Sequence, residues 1–418
     1  MTDRAVFVYV DIDGKPILVG RLWLRQRRGR ETASFAYDEG WLTNPERFPL
    51  EPALALGAGE YHTPVDKALF GALGDSAPDR WGRNLMRRAE RQRARIEGRS
   101  PRTLLEIDYL LNVDDEARLG ALRFTEEAGG PFLAPGGPVR TPPLLELPRL
   151  LSATERIAED DDSDEDLRLL LAPGSSLGGA RPKASIRDRD GALAFAKFPQ
   201  KDDDLPVVSW EAVALRLAAK AGIAVPDCRI EQVGGKPVLV LRRFDRAAGN
   251  RLPFLSAMSM IGASDNEQHS YLEIVDALRQ HGAAPADDLA ALWRRILFSI
   301  LISNTDDHLR NHGFLYARGS GWRLAPAYDL NPVPTDIRPR VLSLAIDEED
   351  NTASFDLAME TAPRFGLTTD HARIIAAEVA AAVSGWRQEA ARAGLTSNQI
   401  GRMASAFEHD DLKKAMAC

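Results

Sequence analysis

The chain has almost no cysteine. Cys228 and Cys418 are the two in 418 residues, and no C-x-x-C pair occurs. That excludes a disulfide framework and a cysteine-ligated zinc site, and it fits a reducing cytosol. Long apolar runs are also missing, so no transmembrane helix is expected. Met1 to Lys15 carries Asp3, Asp11 and Asp13 and has no signal-peptide core, so the expected location is cytoplasmic, away from any membrane. Positive charge is not in excess either. A net charge of −8 argues against nucleic-acid binding by bulk electrostatics and leaves only a local patch. What remains is ordinary globular material, 44% hydrophobic and 27% charged, in a chain long enough for two domains.

The most informative stretch runs from Ile300 to Leu330. An apolar run, Ile296 to Ile302, follows a helix-like Trp293-Arg294-Arg295 and reads as a buried element. It breaks into Asn304, Thr305, Asp306, Asp307, His308, Arg310 and Asn311 before Gly313, which reads as a loop held by a core. Asp306 and Asn311 have the D-x-x-x-x-N spacing of the protein-kinase catalytic loop, where the Asp accepts the hydroxyl proton and the Asn holds a metal ion. Asp329, eighteen residues beyond Asn311, stands where kinases carry a second metal-binding carboxylate. Phosphoryl transfer needs these residue types. Its transition state spreads negative charge over phosphate oxygens, so catalysis rests on positioning and on hard, oxygen-ligated cations.

Upstream, Ala5 to Leu24 alternates around Asp13-Gly14, a hairpin signal, and Ala33 to Trp41 reads as another strand. Pro45 to Gly59 reads as loop, and Lys67 to Glu97 as helix interrupted at Gly74 to Pro78. Arg80, Arg83, Arg87, Arg88, Arg91, Arg93 and Arg95 make one basic stretch, read first as a solvated helix face and second as a phosphate patch. The proline- and glycine-rich Gly129 to Pro148 marks a boundary. Ala172 to Lys183 is a Gly/Ser-rich loop without the Walker A lysine, and on its own is a weak phosphate-loop signal. Ala184 to Ile186 and Leu193 to Phe198 read as strands, with Lys197 at the end of the second. A helix from Ser209, its N-cap, places Glu211 in the first turn, where it could pair with a strand lysine or complement the helix dipole. Ile230 to Leu241 reads as a hairpin across Gly234-Gly235. From Ser270 onward the chain reads as mainly helical: Tyr271 to Gln280, Ala286 to Ile302, Asp370 to Ala393 and Ser397 to Met416.

Taken together these residues resemble the HipA family, the serine/threonine-kinase toxins of bacterial toxin–antitoxin pairs. The resemblance rests on Phe35-Ala36-Tyr37 with Trp41-Leu42, Gly71 to Arg83, Tyr109 to Phe124, Ser175 to Lys183, Lys197-Phe198-Pro199, Glu211, Gly222 to Pro226, Arg243 to Arg246, Asn304 to Asn311 and Tyr328-Asp329-Leu330. It implies an α+β fold. A small mixed α/β N-terminal domain (1–135) precedes a kinase-like domain (145–418) with a β-rich small lobe, about 165–245, and a helical lobe, about 250–418. It implies Asp306 as catalytic base, Asn311 and Asp329 as magnesium ligands, and Lys197 as the ATP-phosphate lysine. Ser176, Gly178, Gly179, His308 and Glu211 would lie around the nucleotide. Autophosphorylation of Ser176, or of Ser175 beside it, would switch the kinase off. The implied cofactors are ATP and Mg2+. The implied protein substrate is an aminoacyl-tRNA synthetase, typically the glutamate enzyme, whose modification arrests growth. The implied partner is a HipB-like helix-turn-helix antitoxin, with operator DNA met only through that complex. The chain departs from the family at Asp307, a position more often small. Two other readings remain open, a small-molecule kinase and an inactive co-repressor scaffold. A zinc site on His308 and His312 fits poorly, because Leu309 stands where the general-base Glu belongs.

Overall fold

A computed structural model describes residues 4–27, 30–133, 141–171, 179–265 and 267–418. It is an α+β protein whose strand pairings are antiparallel wherever their register is defined, most of them between strands adjacent in sequence and one, Arg4–Ile12 with Leu122–Thr125, joining distant segments. Two compact units emerge: 1–201 with 233–236 and 240–255, and 202–232 with 237–239 and 256–418.

The first half opens with β1 (Arg4–Ile12) and β2 (Lys15–Arg27), joined at Asp13 and Gly14, both with positive φ (51° and 75°). Such a two-residue turn matches the right-handed twist of its strands, which is why Asp-Gly is favoured there. β3 (Arg30–Tyr37), β4 (Glu60–His62) and β5 (Leu122–Thr125) complete a sheet in the order β4-β3-β2-β1-β5. Val6, Val8 and Val10 share one buried face of β1, the period-2 signature of a half-buried strand. The strand expected over Ala33 to Trp41 stops at Tyr37. Asp38 instead caps a short helix, α1 (Glu39–Thr43), accepting from Gly40 N at 2.8 Å.

Helices α2 (Gly71–Asp75), α3 (Arg80–Ile96), α4 (Glu106–Leu111), α5 (Leu147–Ala158) and α6 (Asp164–Leu171) follow. α3 buries Trp81, Leu85, Met86 and Ala94, and its arginines turn outward. Arg83 forks onto Glu106 and Arg88 pairs with Asp162 at 2.7 Å, while Arg80, Arg87, Arg91 and Arg95 lie exposed as a solvated face.

A second sheet runs in the order β6 (Lys183–Arg187), β7 (Leu193–Lys197), β9 (Lys236–Arg242), β8 (Cys228–Val233). β8 and β9 are joined across Gly234 and Gly235, both left-handed (φ 55° and 78°), as the Gly-Gly hairpin signal requires. Within the first unit lies a fully buried charge cluster. Arg243 donates from Nε to Asp245 Oδ1 at 2.7 Å and from Nη1 to Ala117 O at 2.6 Å, and Asp245 Oδ2 accepts from Gly120 N at 2.8 Å. Burial would push the Asp245 carboxyl up, but the Arg243 and Arg246 charges outweigh it and hold it at about 2.

α7 (Val207–Lys220) begins at Pro206 rather than at Ser209, which corrects two expectations. Ser209 lies inside the helix and caps nothing. Glu211 sits beyond the first turn and is buried, so it is not a surface complement to the dipole. Two short strands, β10 (Arg246–Ala247) and β11 (Asn250–Arg251), form a hairpin, and β12 (Phe254–Ser256), β13 (Gly313–Ala317) and β14 (Gly321–Leu324) form a three-stranded sheet. The rest of the second unit is helical: α8 (Ala257–Met260), α9 (Tyr271–His281), α10 (Pro285–Leu301), α11 (Phe355–Thr361), α12 (Thr369–Ser384), α13 (Trp386–Arg392), α14 (Ser397–Arg402), α15 (Ala404–Phe407) and α16 (Asp410–Met416). The expected helices over 370–393 and 397–416 are each broken. Gly385 divides the first, and Met403 and Glu408–His409 divide the second. Trp210, Trp386 and Phe407 pack together here, the last two stacked with centroids 4.6 Å apart.

Candidate active site

The site grows out of the end of α10. Pro285 opens that helix, where its missing N–H costs nothing, and Leu292, Trp293, Ile296, Leu297, Phe298, Ile300 and Leu301 bury all round its last turns. Each such side chain withdrawn from water contributes roughly 1.5–3 kcal/mol, so the helix end is a firm base. At Ser303 the chain turns off with φ 51°, a left-handed conformation rare for a side-chain-bearing residue. Ser303 Oγ donates to Ala406 O at 2.8 Å and accepts from Arg340 Nε at 3.1 Å, which holds the turn.

The loop that follows carries the expected base and amide. Asn311 Nδ2 donates to the Asp306 backbone carbonyl at 3.0 Å, so the two residues are fastened across the loop. The Asp306 carboxylate points outward, with 60% of its side chain exposed. Asn311 is buried, and its Oδ1 has no hydrogen-bond partner among the described residues. A buried carbonyl oxygen left without a donor loses its hydration for nothing unless a ligand serves it. His308 Nδ1 is in the same condition.

The Asp329 segment is tied to this loop on both sides of Asp329. Tyr328 donates its hydroxyl to Arg310 O at 2.7 Å, and Asn331 N donates to Asn304 Oδ1 at 3.2 Å. Val333 N reaches Ser303 O at 3.1 Å. Asp329 itself has φ 58°, and its Oδ1 accepts from Asn331 Nδ2 at 3.1 Å. Asp306, Asn311 and the Asp329 turn are therefore brought together by the second unit alone.

Asp307 behaves unlike its neighbour. Only 5% of its side chain is exposed, and His312 Nε2 stands 3.0 Å from its Oδ1, close although the ring N–H is poorly aimed along that line. Its Oδ2 accepts from the Tyr271 hydroxyl at 2.7 Å and from Ser299 Oγ at 3.2 Å. Burial alone would raise the Asp307 carboxyl; the charge of His312, then the hydrogen bonds from Tyr271 and Ser299, hold it below the usual carboxylate range. Burial, together with that carboxylate, pushes the Tyr271 phenol well up. The loop thus alternates an outward acid, Asp306, with an inward one that anchors it.

No cluster of three or more His, Cys, Asp or Glu placed to hold a metal occurs among the described residues. Magnesium keeps several waters and substrate oxygens and takes only one or two protein oxygens, and the orphaned Asn311 Oδ1 with the Asp329 carboxylate is a donor set of that kind. Zinc fits worse. Leu309–Asn311 is a single 3₁₀ turn and Gly313 begins β13, so the helical spacing that a two-histidine site needs is lacking, and His312 is turned to Asp307.

Ser175, Ser176 and Gly178 lie outside the described residues. Gly179 has φ 90° and its carbonyl accepts from Trp81 N at 3.4 Å. Lys197 closes β7 and is buried in the first unit, and Glu211 is buried in α7 of the second. The sequence singles out Asn304 without giving it a partner, and Tyr271, Ser299 and Asn331 carry no local signal that they meet the loop, since folding brings them there.

Against known families, residues 175–386 match the HipA-like C-terminal domain and residues 10–107 the HipA N-terminal domain. A Sinorhizobium fredii protein named "Putative kinase Y4mE" is 27% identical over 321 residues, 71% of each chain. A Haemophilus influenzae protein of the same general designation is 26% identical over 199 residues, 41% of this chain and 58% of that one. Among solved structures, the Shewanella oneidensis HipA toxin–antitoxin system in complex with HipB and operator DNA superposes with a TM-score of 0.67 over 99% of this chain and 96% of that one. At 17% identity that likeness shows the fold, which is the α+β fold expected.

Proposed function

Because this chain belongs to the HipA family, we propose that it is an ATP- and magnesium-dependent serine/threonine protein kinase serving as the toxin of a toxin–antitoxin pair. The observation that carries this reading is the Asp306–Asn311 fastening, with the carboxylate turned to solvent and the amide oxygen buried and unserved. Asp306 accepts the proton of the attacking serine or threonine hydroxyl. Asn311 and Asp329 offer oxygens to magnesium, which would neutralise charge on the nucleotide phosphates. Lys197 holds an ATP phosphate, with Gly179, His308 and Glu211 around the nucleotide. Ser176 or Ser175 takes phosphate as the off-switch. The substrate is an aminoacyl-tRNA synthetase, and the partner is a HipB-like antitoxin. The partner is supported by the solved complex of the Shewanella relative with HipB and operator DNA.

The test is incubation of the purified chain with ATP and magnesium, followed by mass spectrometry. Phosphate on Ser176 or Ser175 is expected, and Asp306→Asn should lower the rate about 10²–10⁴-fold, the usual contribution of a positioned base. Full activity in that variant refutes the base assignment. Growth slowed by the parent chain and not by Asp306→Asn supports the toxin role, and normal growth with an active kinase removes it.

A further inference from the structure

The segment after Asp329 is pinned at several points and leaves one arginine on the base. Thr335 N donates to Ser405 Oγ at 3.0 Å, and Asp336 pairs with Arg402 at 2.8 Å. Further on, Arg340 donates to Ser303 Oγ and to Ile300 O at 3.0 Å, and Ser343 Oγ donates to Thr305 O at 3.1 Å. Between these anchors the chain turns, with Ile337 N and Arg338 N both donating to Pro334 O. The turn presents Arg338 outward, 53% exposed, with its Nη1 3.2 Å from Asp306 Oδ1. The other arginines nearby are engaged elsewhere: Arg310 with Asp265 and Arg340 with Asp411.

An exposed pair of this kind holds weakly, so it is poorly explained as a structural tie. Its position is more telling. A general base lies about 2.6–3.2 Å from the hydroxyl it deprotonates. The phosphorus that this hydroxyl attacks is only a further near-attack distance, about 3–3.5 Å, away. A guanidinium resting on the base therefore reaches the transferred phosphoryl oxygens by a change of side-chain rotamer, its backbone staying where its anchors hold it. Its planar fork matches phosphate oxygens as it matches a carboxylate.

The geometry points to Arg338 as a catalytic residue of the kinase reaction, a cation carried in the same chain that moves from Asp306 to the phosphoryl group in transfer. The inference rests on the kinase reading above. In the step it assists, the bond from the acceptor hydroxyl oxygen to the γ-phosphorus forms as the bond to the bridging oxygen breaks. The hydroxyl proton passes to Asp306, and the electron pair leaves on ADP. Arg338 neutralises charge on the phosphoryl oxygens and gives up its place on the carboxylate as the proton arrives there.

The experiment compares the full chain with Arg338→Ala and Arg338→Lys, using labelled ATP with magnesium and reading phosphate incorporated into the chain itself at varied ATP. Arg338→Ala should lower kcat by about 10³-fold, the lower end of the range by which such arginines act. KM for ATP should stay within about twofold, and the melting temperature should be unchanged because the side chain is largely exposed. Arg338→Lys, which keeps the charge and loses the fork, should recover part of the rate. An unchanged kcat, or a loss confined to KM, overturns the assignment. A raised kcat overturns it too, since it would make Arg338 a shield over the base. A parent chain that transfers no phosphate sinks the kinase reading and this inference with it, whereas an active parent with an indifferent Arg338 sinks the inference alone.

Discussion

Replacing Asp307 by alanine should cost the second unit far more than replacing Asp306, although the two are adjacent. Asp307 is 5% exposed and accepts from Tyr271 at 2.7 Å and Ser299 at 3.2 Å, with His312 3.0 Å away. Truncation strands a buried phenol, a buried hydroxyl and an imidazole together. Each unsatisfied group costs about 1–3 kcal/mol, and removing one partner of a buried ionic contact costs about 3–5 kcal/mol. The expected loss is about 3–5 kcal/mol, against less than about 1 kcal/mol for Asp306→Ala, whose single described ion pair is solvent-exposed. Urea unfolding followed by tryptophan fluorescence measures both, since Trp293 lies in the helix that feeds the loop. The pH dependence has a definite sign. The folded Asp307 carboxyl lies below its unfolded value, so its contribution is present above about pH 4 and fades as pH falls through the folded value. The gap between parent and Asp307→Ala should close only in that acid range. A neutral-pH difference within about 0.5 kcal/mol, the scatter of ordinary surface changes, refutes the anchor role.

Two further outcomes follow from buried charge. Asp245→Ala leaves Arg243 and Arg246 uncompensated in the first unit and should destabilise it by about 3–5 kcal/mol in thermal or chemical unfolding. Because Asp245 is held at about 2, its contribution persists above the unfolded value near 4 and is lost only toward that low pH. His409, whose Nδ1 caps α16 by accepting from Leu412 N at 3.3 Å, is driven down to about 4 by burial and then by Arg340. The unfolded chain binds that proton from about pH 6.5 downward, so stability should fall between about pH 6.5 and 4. His409→Asn keeps a capping side chain and should flatten that slope in denaturation titrations.

Much of the fold is legible locally. The Asp13-Gly14 and Gly234-Gly235 turns follow from the positive φ that their strands' twist demands, and the helix expected over 286–302 is found at 285–301 because its apolar run is long. The misses have local causes too. Pro206 starts α7 ahead of the more conventional cap Ser209, and Gly385 cuts what hydrophobic periodicity reads as one helix. For the site, spacing alone picks out Asp306, Asn311 and Asp329. It cannot tell that Asp307 faces the core, because two adjacent aspartates look alike until Tyr271 and Ser299 are placed beside one of them. Nor can it pair Arg338 with Asp306, a contact across 32 positions that no periodicity encodes.

The left-handed backbone at Asp329 narrows what this position can become. At φ 58° glycine fits without strain, asparagine and aspartate at little cost, and β-branched or bulky residues badly. Of the three that the backbone tolerates, one alone brings a full negative charge. If Asp329 serves magnesium as proposed, a randomised codon at 329 would be filtered twice, by shape down to a handful of letters and by charge down to the one already there.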